Sequence, residues 1–385
     1  MEPIGIYIHI PFCLKKCRYC DFLSWAAGEE EQNRYTEYLV REIHGTKLFQ
    51  GGVCREYENS AACAADSIFI GGGTPSLLSL NHIERIMEAV SDRFQLASSA
   101  EITLECNPGT AEFSKLKAYR RLGINRLSIG VQSAVERELK ALGRVHSFEE
   151  AKTTFRLARE AGFANINVDL MSALPGQTVE SYKKTLHEIL RMEPEHISAY
   201  SLILEEGTPL YEQYCGVSPV EEDTDREMYS LTKELLARHG YERYEISNYA
   251  KKGYSCRHNL KYWSDGDYAG FGLGASSKIA HIRYKNESSM EKYEAGLRNG
   301  TGVAKVEEVL DKRAQMSEFF ILGLRKTAGV SLDEFAERFL ERAEQVYGKE
   351  IHRFIHDGLL KQEGQRLYLS ERGLDLSNYV FCGFI

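Results

Sequence analysis

The chain has 385 residues, 43% of them hydrophobic and 27% charged, an ordinary globular composition that excludes a disordered, collagen-like or low-complexity protein. Against 48 Lys and Arg stand 56 Asp and Glu, a formal charge of -8. That is the wrong sign for a protein that neutralises phosphates, so no nucleic-acid partner is expected. No run approaches a membrane span, and the start MEPIGIYIHIPF carries no basic leader or small-residue cleavage site, so no transmembrane segment and a cytoplasmic location are expected.

Six β-rich runs alternate with helical stretches: IGIYIHI (4–10), DSIFIGG (66–72), AEITLEC (100–106), NRLSIGVQ (125–132), NINVDLM (165–171) and HISAYSL (196–202). LNHIERIMEAVSDRF (80–94) and VESYKKTLHEILRM (179–192) show the three- and four-residue apolar spacing of helices. This βαβα rhythm predicts an α/β fold, a parallel sheet curled into a partial (β/α)6 barrel over 1–210. The strands also alternate in polarity. Ile6, Ile8 and Ile10 oppose Tyr7 and His9; Ile102 and Leu104 oppose Glu101, Thr103 and Glu105; Leu127, Ile129 and Val131 oppose Ser128, Gly130 and Gln132; Ile166, Val168 and Leu170 oppose Asn167 and Asp169. With the apolar face covered by helices, the polar face lines a lumen, and a polar lumen implies a polar ligand. The other reading, a half-solvated antiparallel sheet, is opposed by the intervening helices.

Beyond residue 204 the rhythm changes. An appended α+β region is expected over 211–304, with a helix near 223–240 and a strand YERYEIS (241–247). Helices and a short hairpin follow, predicting a small, mainly helical, winged-helix-like domain over 305–385.

The nine cysteines are Cys13, Cys17, Cys20, Cys54, Cys63, Cys106, Cys215, Cys256 and Cys382, unlike a small secreted disulfide framework. Three fall in IHIPFCLKKCRYCDF, a C-x3-C-x2-C spacing directly after the first strand. Pro11 ends that strand and favours a loop. Zinc usually takes four ligands in paired C-x2-C arrangements, and no second pair occurs here. Three thiolates suit a [4Fe-4S] cluster with one iron left open.

With Tyr19 before the last cysteine of the triplet, and Gly71-Gly72-Gly73-Thr74-Pro75 after the next strand, the chain resembles the radical S-adenosylmethionine (SAM) superfamily. YIHIPFC, GGGTPS, ECNPG, RLSIGVQS and DLMSALPGQT resemble its oxygen-independent coproporphyrinogen III oxidase group over essentially the whole chain, including a HemN-like C-terminal domain. The resemblance implies a [4Fe-4S] cluster on Cys13, Cys17 and Cys20, and SAM near Tyr7, Tyr19, Gly72, Gly73, Thr74, Glu105, Gln132, Arg144 and Asp169. The alternation independently puts Tyr7, Glu105, Gln132 and Asp169 in the lumen; for Arg144, which is otherwise a solvated cation near a helix start, only the resemblance speaks.

Two departures from the oxidase count against decarboxylation: Asp21-Phe22 follows Cys20 where that group carries a further cysteine, and the first strand begins by Ile4 without an N-terminal extension. CRHNLKYW (256–263) instead resembles the HNxxYW motif of HemW-type haem chaperones. That likeness implies haem as cargo, a haem-accepting protein, and a one-electron donor such as flavodoxin or ferredoxin. His258 can offer an imidazole nitrogen to haem iron and Tyr262 and Trp263 can pack on the porphyrin, with Cys256 a second conceivable ligand. The bland alternative is a His-Asn turn followed by aromatics in a satisfied loop packed on a sheet. A decarboxylating oxidase, or a radical enzyme that opens or alkylates the macrocycle, are the other expectations; there, reduction of the cluster would cleave SAM to a radical that abstracts hydrogen.

Overall fold

The computed structural model describes residues 2–46 and 63–385; Cys54 lies outside them. Six strands, β1 (Ile4–Ile10), β2 (Cys63–Gly72), β3 (Phe94–Cys106), β4 (Arg126–Gln132), β5 (Ile166–Ser172) and β6 (His196–Ser201), pair in parallel in chain order. Helices return the chain between them, including Glu29–Gly45, Leu80–Arg93, Phe113–Arg121, Phe148–Glu160 and Val179–Met192. Local chemistry starts them: Ser147 and Glu150 form a capping box on the fourth of these, Thr178 and Ser181 on the fifth, each satisfying N–H groups that a first helical turn leaves orphaned. The apolar strand face meets these helices in one core holding Ile6, Ile8, Ile10, Leu104, Ile129 and Val168. The opposite face lines the lumen of a partial (β/α)6 barrel.

The region after β6 extends the same sheet at both edges. β7 (Glu242–Arg243) and β8 (Asn248–Ala250) add antiparallel beyond β6, while β9 (Tyr268–Phe271) pairs parallel with β1 and leads to antiparallel β10 (Ser276–Ile279), β11 (Ile282–Asn286) and β12 (Ala304–Val309). The strand expected over 241–247 is instead the start of a hairpin. Residues 244–247 turn because Arg243 donates to the carbonyls of Glu245 and Ile246, and Glu245 Oε1 accepts from the Ser247 N–H at 2.9 Å. HNLKYW belongs to a short helix, Arg257–Trp263, lying under the lumen near Gly5 of β1.

Helices Lys312–Gly323, Leu332–Phe339 and Ala343–His356 surround a small antiparallel sheet of β13 (Val330–Ser331), β15 (Arg366–Leu369) and β14 (Leu360–Glu363), in that order. Phe319, Phe320, Phe335, Phe354 and Phe384 give them a core of their own. Arg338 pairs with Asp265, Arg283 with Glu318, and the Arg325 guanidinium lies 4.4 Å from the Trp263 ring centroid, tying this unit to the sheet extension. Among the described residues no helix is long and apolar enough to cross a membrane.

Candidate functional site

A cavity of about 550 Å³ opens at the C-terminal ends of the barrel strands, within the range of small-molecule sites. The loop after β1 brings Cys13, Cys17, Tyr19 and Cys20 to its wall, the turn after β2 brings Gly72, Gly73 and Thr74, and the strands beyond bring Glu105, Gln132 and Asp169; Arg144 joins from a loop. Gly72 has φ +110°, and a Cβ there would meet the His9 ring at 2.5 Å; one on Gly73 would stand 2.7 Å from the Phe12 carbonyl oxygen. The glycines therefore first serve the protein's own packing, seating the turn against the cysteine loop.

A hydrogen-bond chain ties the thiols to the strands. Arg144 Nη2 donates to the Gly130 carbonyl and to Asn107 Oδ1, both at 2.7 Å, and Nη1 to Cys17 Sγ at 3.6 Å. Asn107 Nδ2 donates to Thr74 Oγ1 at 2.7 Å, and that hydroxyl to Cys13 Sγ at 3.6 Å. Burial opposes the Arg144 charge, but Tyr19 and Cys17 hold it, and the net effect raises its pKa. Burial, reinforced by Cys17 and Cys13, keeps the Cys20 thiol above its usual value against a backbone hydrogen bond near Phe22. Such a trio calls for a positive centre. No group of three or more His, Cys, Asp or Glu among the described residues is gathered tightly enough for one metal ion; thiols spread along one wall suit separate irons of a cluster instead.

Lower in the cavity are two carboxyl groups. Asp169 accepts from Asn167 Nδ2 at 2.7 Å and Ser128 Oγ at 3.3 Å, yet burial still raises its pKa. Glu105 accepts from the Gly72 N–H at 3.0 Å and is pushed up to about 8, first by burial and then by Asp169. A cationic ligand would reverse both shifts. Gln132, at φ +69°, is held in the left-handed region where β4 bulges, and its Oε1 accepts from Tyr200.

Tyr7 stands at the edge of this group, where burial and then Glu105 raise the pKa of its hydroxyl. Its hydroxyl lies 3.0 Å from His9 Nδ1, and both rings line a second cavity of about 390 Å³ with Tyr262, Trp263, Tyr268 and Leu322. Phe69 is the partition: it lines the first cavity and stacks on Tyr7 and on His258.

His258 offers no free nitrogen to iron here. Its Nδ1 is 3.0 Å from Ser67 Oγ and its Nε2 2.9 Å from Tyr262 Oη, and the residue is 1% exposed. Its pKa falls to about 3, through burial first and then Lys261 and Arg126. Glu101 fixes the start of the motif helix, accepting from the N–H groups of Arg257 and His258. Cys256 is likewise withdrawn: buried, donating to Glu101 at 3.4 Å, its thiol pushed up to about 12 by burial. Tyr262 and Trp263 face the second cavity, and Trp263 Nε1 is buried without a partner.

The sequence reading missed Asn107, Arg126 and Cys106, all on the first cavity. Arg126 was within reach, two residues before Ser128 on the lumen face; Cys106 reads as the next apolar-face residue after Ile102 and Leu104, and Asn107 lies in the turn ECNPG just beyond the strand.

The Radical SAM superfamily model matches residues 7–189, and that of the HemN C-terminal domain residues 310–376. "Heme chaperone HemW" of Lactococcus lactis subsp. lactis (strain IL1403) is 35% identical over 387 residues, covering 100% of this chain and 98% of that one. The protein of the same name from Escherichia coli (strain K12) is 42% identical over 280 residues, 72% of this chain and 71% of the relative. Among solved structures, coproporphyrinogen III oxidase (HemN) from Escherichia coli, a radical SAM enzyme, superposes with TM-score 0.86 at 22% identity, covering 99% of this chain and 90% of that one. At that identity the likeness is one of fold.

Proposed function

The chain belongs to the HemW family within the radical SAM superfamily, and on that premise we propose that it is a haem chaperone whose barrel holds a [4Fe-4S] cluster and SAM. The observation that carries this reading is full-length kinship with HemW proteins combined with HNLKYW at 258–263. Cys13, Cys17 and Cys20 are the cluster ligands. Tyr19, Gly72, Gly73, Thr74, Glu105, Gln132, Arg144 and Asp169 form the SAM seat, where carboxyl groups meet a cationic ligand and Arg144 keeps one thiolate and the strand carbonyl together. When bound, the cluster and SAM supply one-electron chemistry that side chains lack. Tyr7, on which Glu105 acts from across the Phe69 partition, borders that seat and the second cavity.

Haem is the cargo, packed against Tyr262 and Trp263. An iron bond from His258 would cost only one of its two ring hydrogen bonds, that to Ser67 or that to Tyr262, while the other nitrogen keeps its partner. A haem-accepting protein receives the cargo, and a one-electron donor such as flavodoxin or ferredoxin serves the cluster. Phe22, exposed at the cavity mouth where the oxidase group carries cysteine, counts against decarboxylation. The deciding experiment gives anaerobically reconstituted protein haem in one arm and coproporphyrinogen III, SAM and a reductant in the other. Stoichiometric haem binding without protoporphyrinogen is expected; protoporphyrinogen formation would return the protein to the oxidase class.

A further inference from the structure

The floor of the lumen holds a charged group that acts on Glu105 and Asp169 through space but makes no hydrogen bond to either. Arg126 opens β4 opposite Thr103, whereas Gly130 of the same strand stands opposite Asp169. Four residues at about 3.3 Å each set the Arg126 backbone roughly 13 Å below Gly130, whose carbonyl receives Arg144. The Arg126 side chain is 1% exposed yet lines the main cavity.

Its partners are few. Nη1 makes one long hydrogen bond, 3.5 Å to Thr103 Oγ1, and Nε has none. Burial opposes its charge, and Cys256, Glu101, Tyr244 and Asp169 favour it through space, while Arg126 hydrogen-bonds to none of them. A guanidinium carries five donors, and a fully buried one is rarely left unpaired. Asn248, 8% exposed on the same cavity, also has an unpartnered oxygen, so the floor is polar in more than one place. The planar fork of Arg126 matches a carboxylate through two parallel hydrogen bonds.

We infer that the lumen floor is a second ligand site, at which Arg126 binds a small carboxylate beneath the seat assigned to SAM. The occupant is small because it shares one cavity of about 550 Å³ with the upper site, and it enters by the same mouth.

The test uses the full chain without SAM or haem, so its outcome is independent of the reading above. Carbon-13-labelled acetate is titrated at constant ionic strength, with chloride as the balancing anion, and binding is read by NMR line broadening in wild type, Arg126→Met and Arg126→Lys, with circular dichroism as the check on folding. Wild type should bind acetate, Arg126→Met should weaken binding at least tenfold, and Arg126→Lys, which keeps the charge but loses the fork, at least threefold. Should Arg126→Met fail to fold, the lysine variant decides. No broadening in wild type, or equal affinity in a folded variant, overturns the site.

Discussion

The cysteine loop and the motif helix were equally conspicuous as sequence motifs, yet they fold into opposite situations. In the loop, three thiols stand on the wall of an open cavity, supported from behind by Arg144 and Thr74. In the helix, the most reactive-looking groups face the protein: both His258 nitrogens have partners, and Cys256 donates to Glu101. A motif presents chemistry where its polar atoms are left over, and packing where they are consumed. By that criterion the aromatic end of HNLKYW, not its histidine, is the part offered to a ligand.

The largest expected effect lies on the loop. Replacing Cys13, Cys17 and Cys20 together by alanine should abolish the roughly four irons and four sulfides bound on reconstitution, with unchanged circular dichroism, whereas Cys256→Ala should retain them. Iron analysis that finds the triple variant loaded would break the contrast. On the helix the effect should be one of stability. His258→Ala empties a buried site and strands Ser67 and Tyr262, costing roughly 2–4 kcal/mol in denaturant unfolding, while Trp263→Phe should cost less than about 1 kcal/mol and still weaken haem binding. If His258→Ala shifts the haem spectrum at unchanged stability, the histidine is a ligand after all and the contrast fails.

How far this was legible follows from where the deciding contacts lie in the chain. Period-two alternation in β1, β3, β4 and β5 was enough to separate Ile6, Leu104, Ile129 and Val168 from Glu105, Gln132 and Asp169, because a strand's two faces are a local property. One ring partner of His258, Tyr262, is an i,i+4 neighbour, but the other, Ser67, is 191 residues away, and no spacing encodes it. The second cavity escaped for the same reason, since Tyr7, Trp263, Lys278 and Leu322 come from four separate elements. The reversal at 244–247 was hidden because the run reads as a β-former; its turn is made by Arg243 and Glu245 side chains bonding to their own neighbours' backbone.

Within the open cavity, Asp169→Ala and Glu105→Ala should each lower SAM affinity at least tenfold in calorimetry, in line with about 1.5–3 kcal/mol for a charge-assisted hydrogen bond, and leave the cluster spectrum intact. Equal losses in His258→Ala would show that the partition at Phe69 couples the two regions more tightly than their separate cavities suggest.

The smallest effect separates the regions by the sign of their pH dependence. Glu105 is raised from 4.5 to about 8 by burial and then Asp169, so its contribution to stability is fully present below about 4.5 and lost as pH rises through about 8. His258 is lowered from 6.5 to about 3 by burial, so its contribution is present above about 6.5 and lost as pH falls toward 3. Between pH 4.5 and 6.5 the two slopes oppose; between 6.5 and 8 only that of Glu105 remains. Buried Glu42, its pKa raised to about 7, adds a slope of the same sign only up to that pH. Urea midpoints should therefore decline from pH 7 to 8 in wild type and flatten in Glu105→Gln, by no more than about 1.4 kcal/mol per pH unit and less wherever solvent in the cavity screens the charge. SAM, being cationic at its sulfonium, should bind more tightly as Glu105 ionises, so its affinity should climb across the same window in wild type and stay level in the glutamine variant. An identical affinity profile in both proteins would mean that Asp169 alone meets the cation, and that Glu105 belongs, like His258, to the groups consumed by the fold.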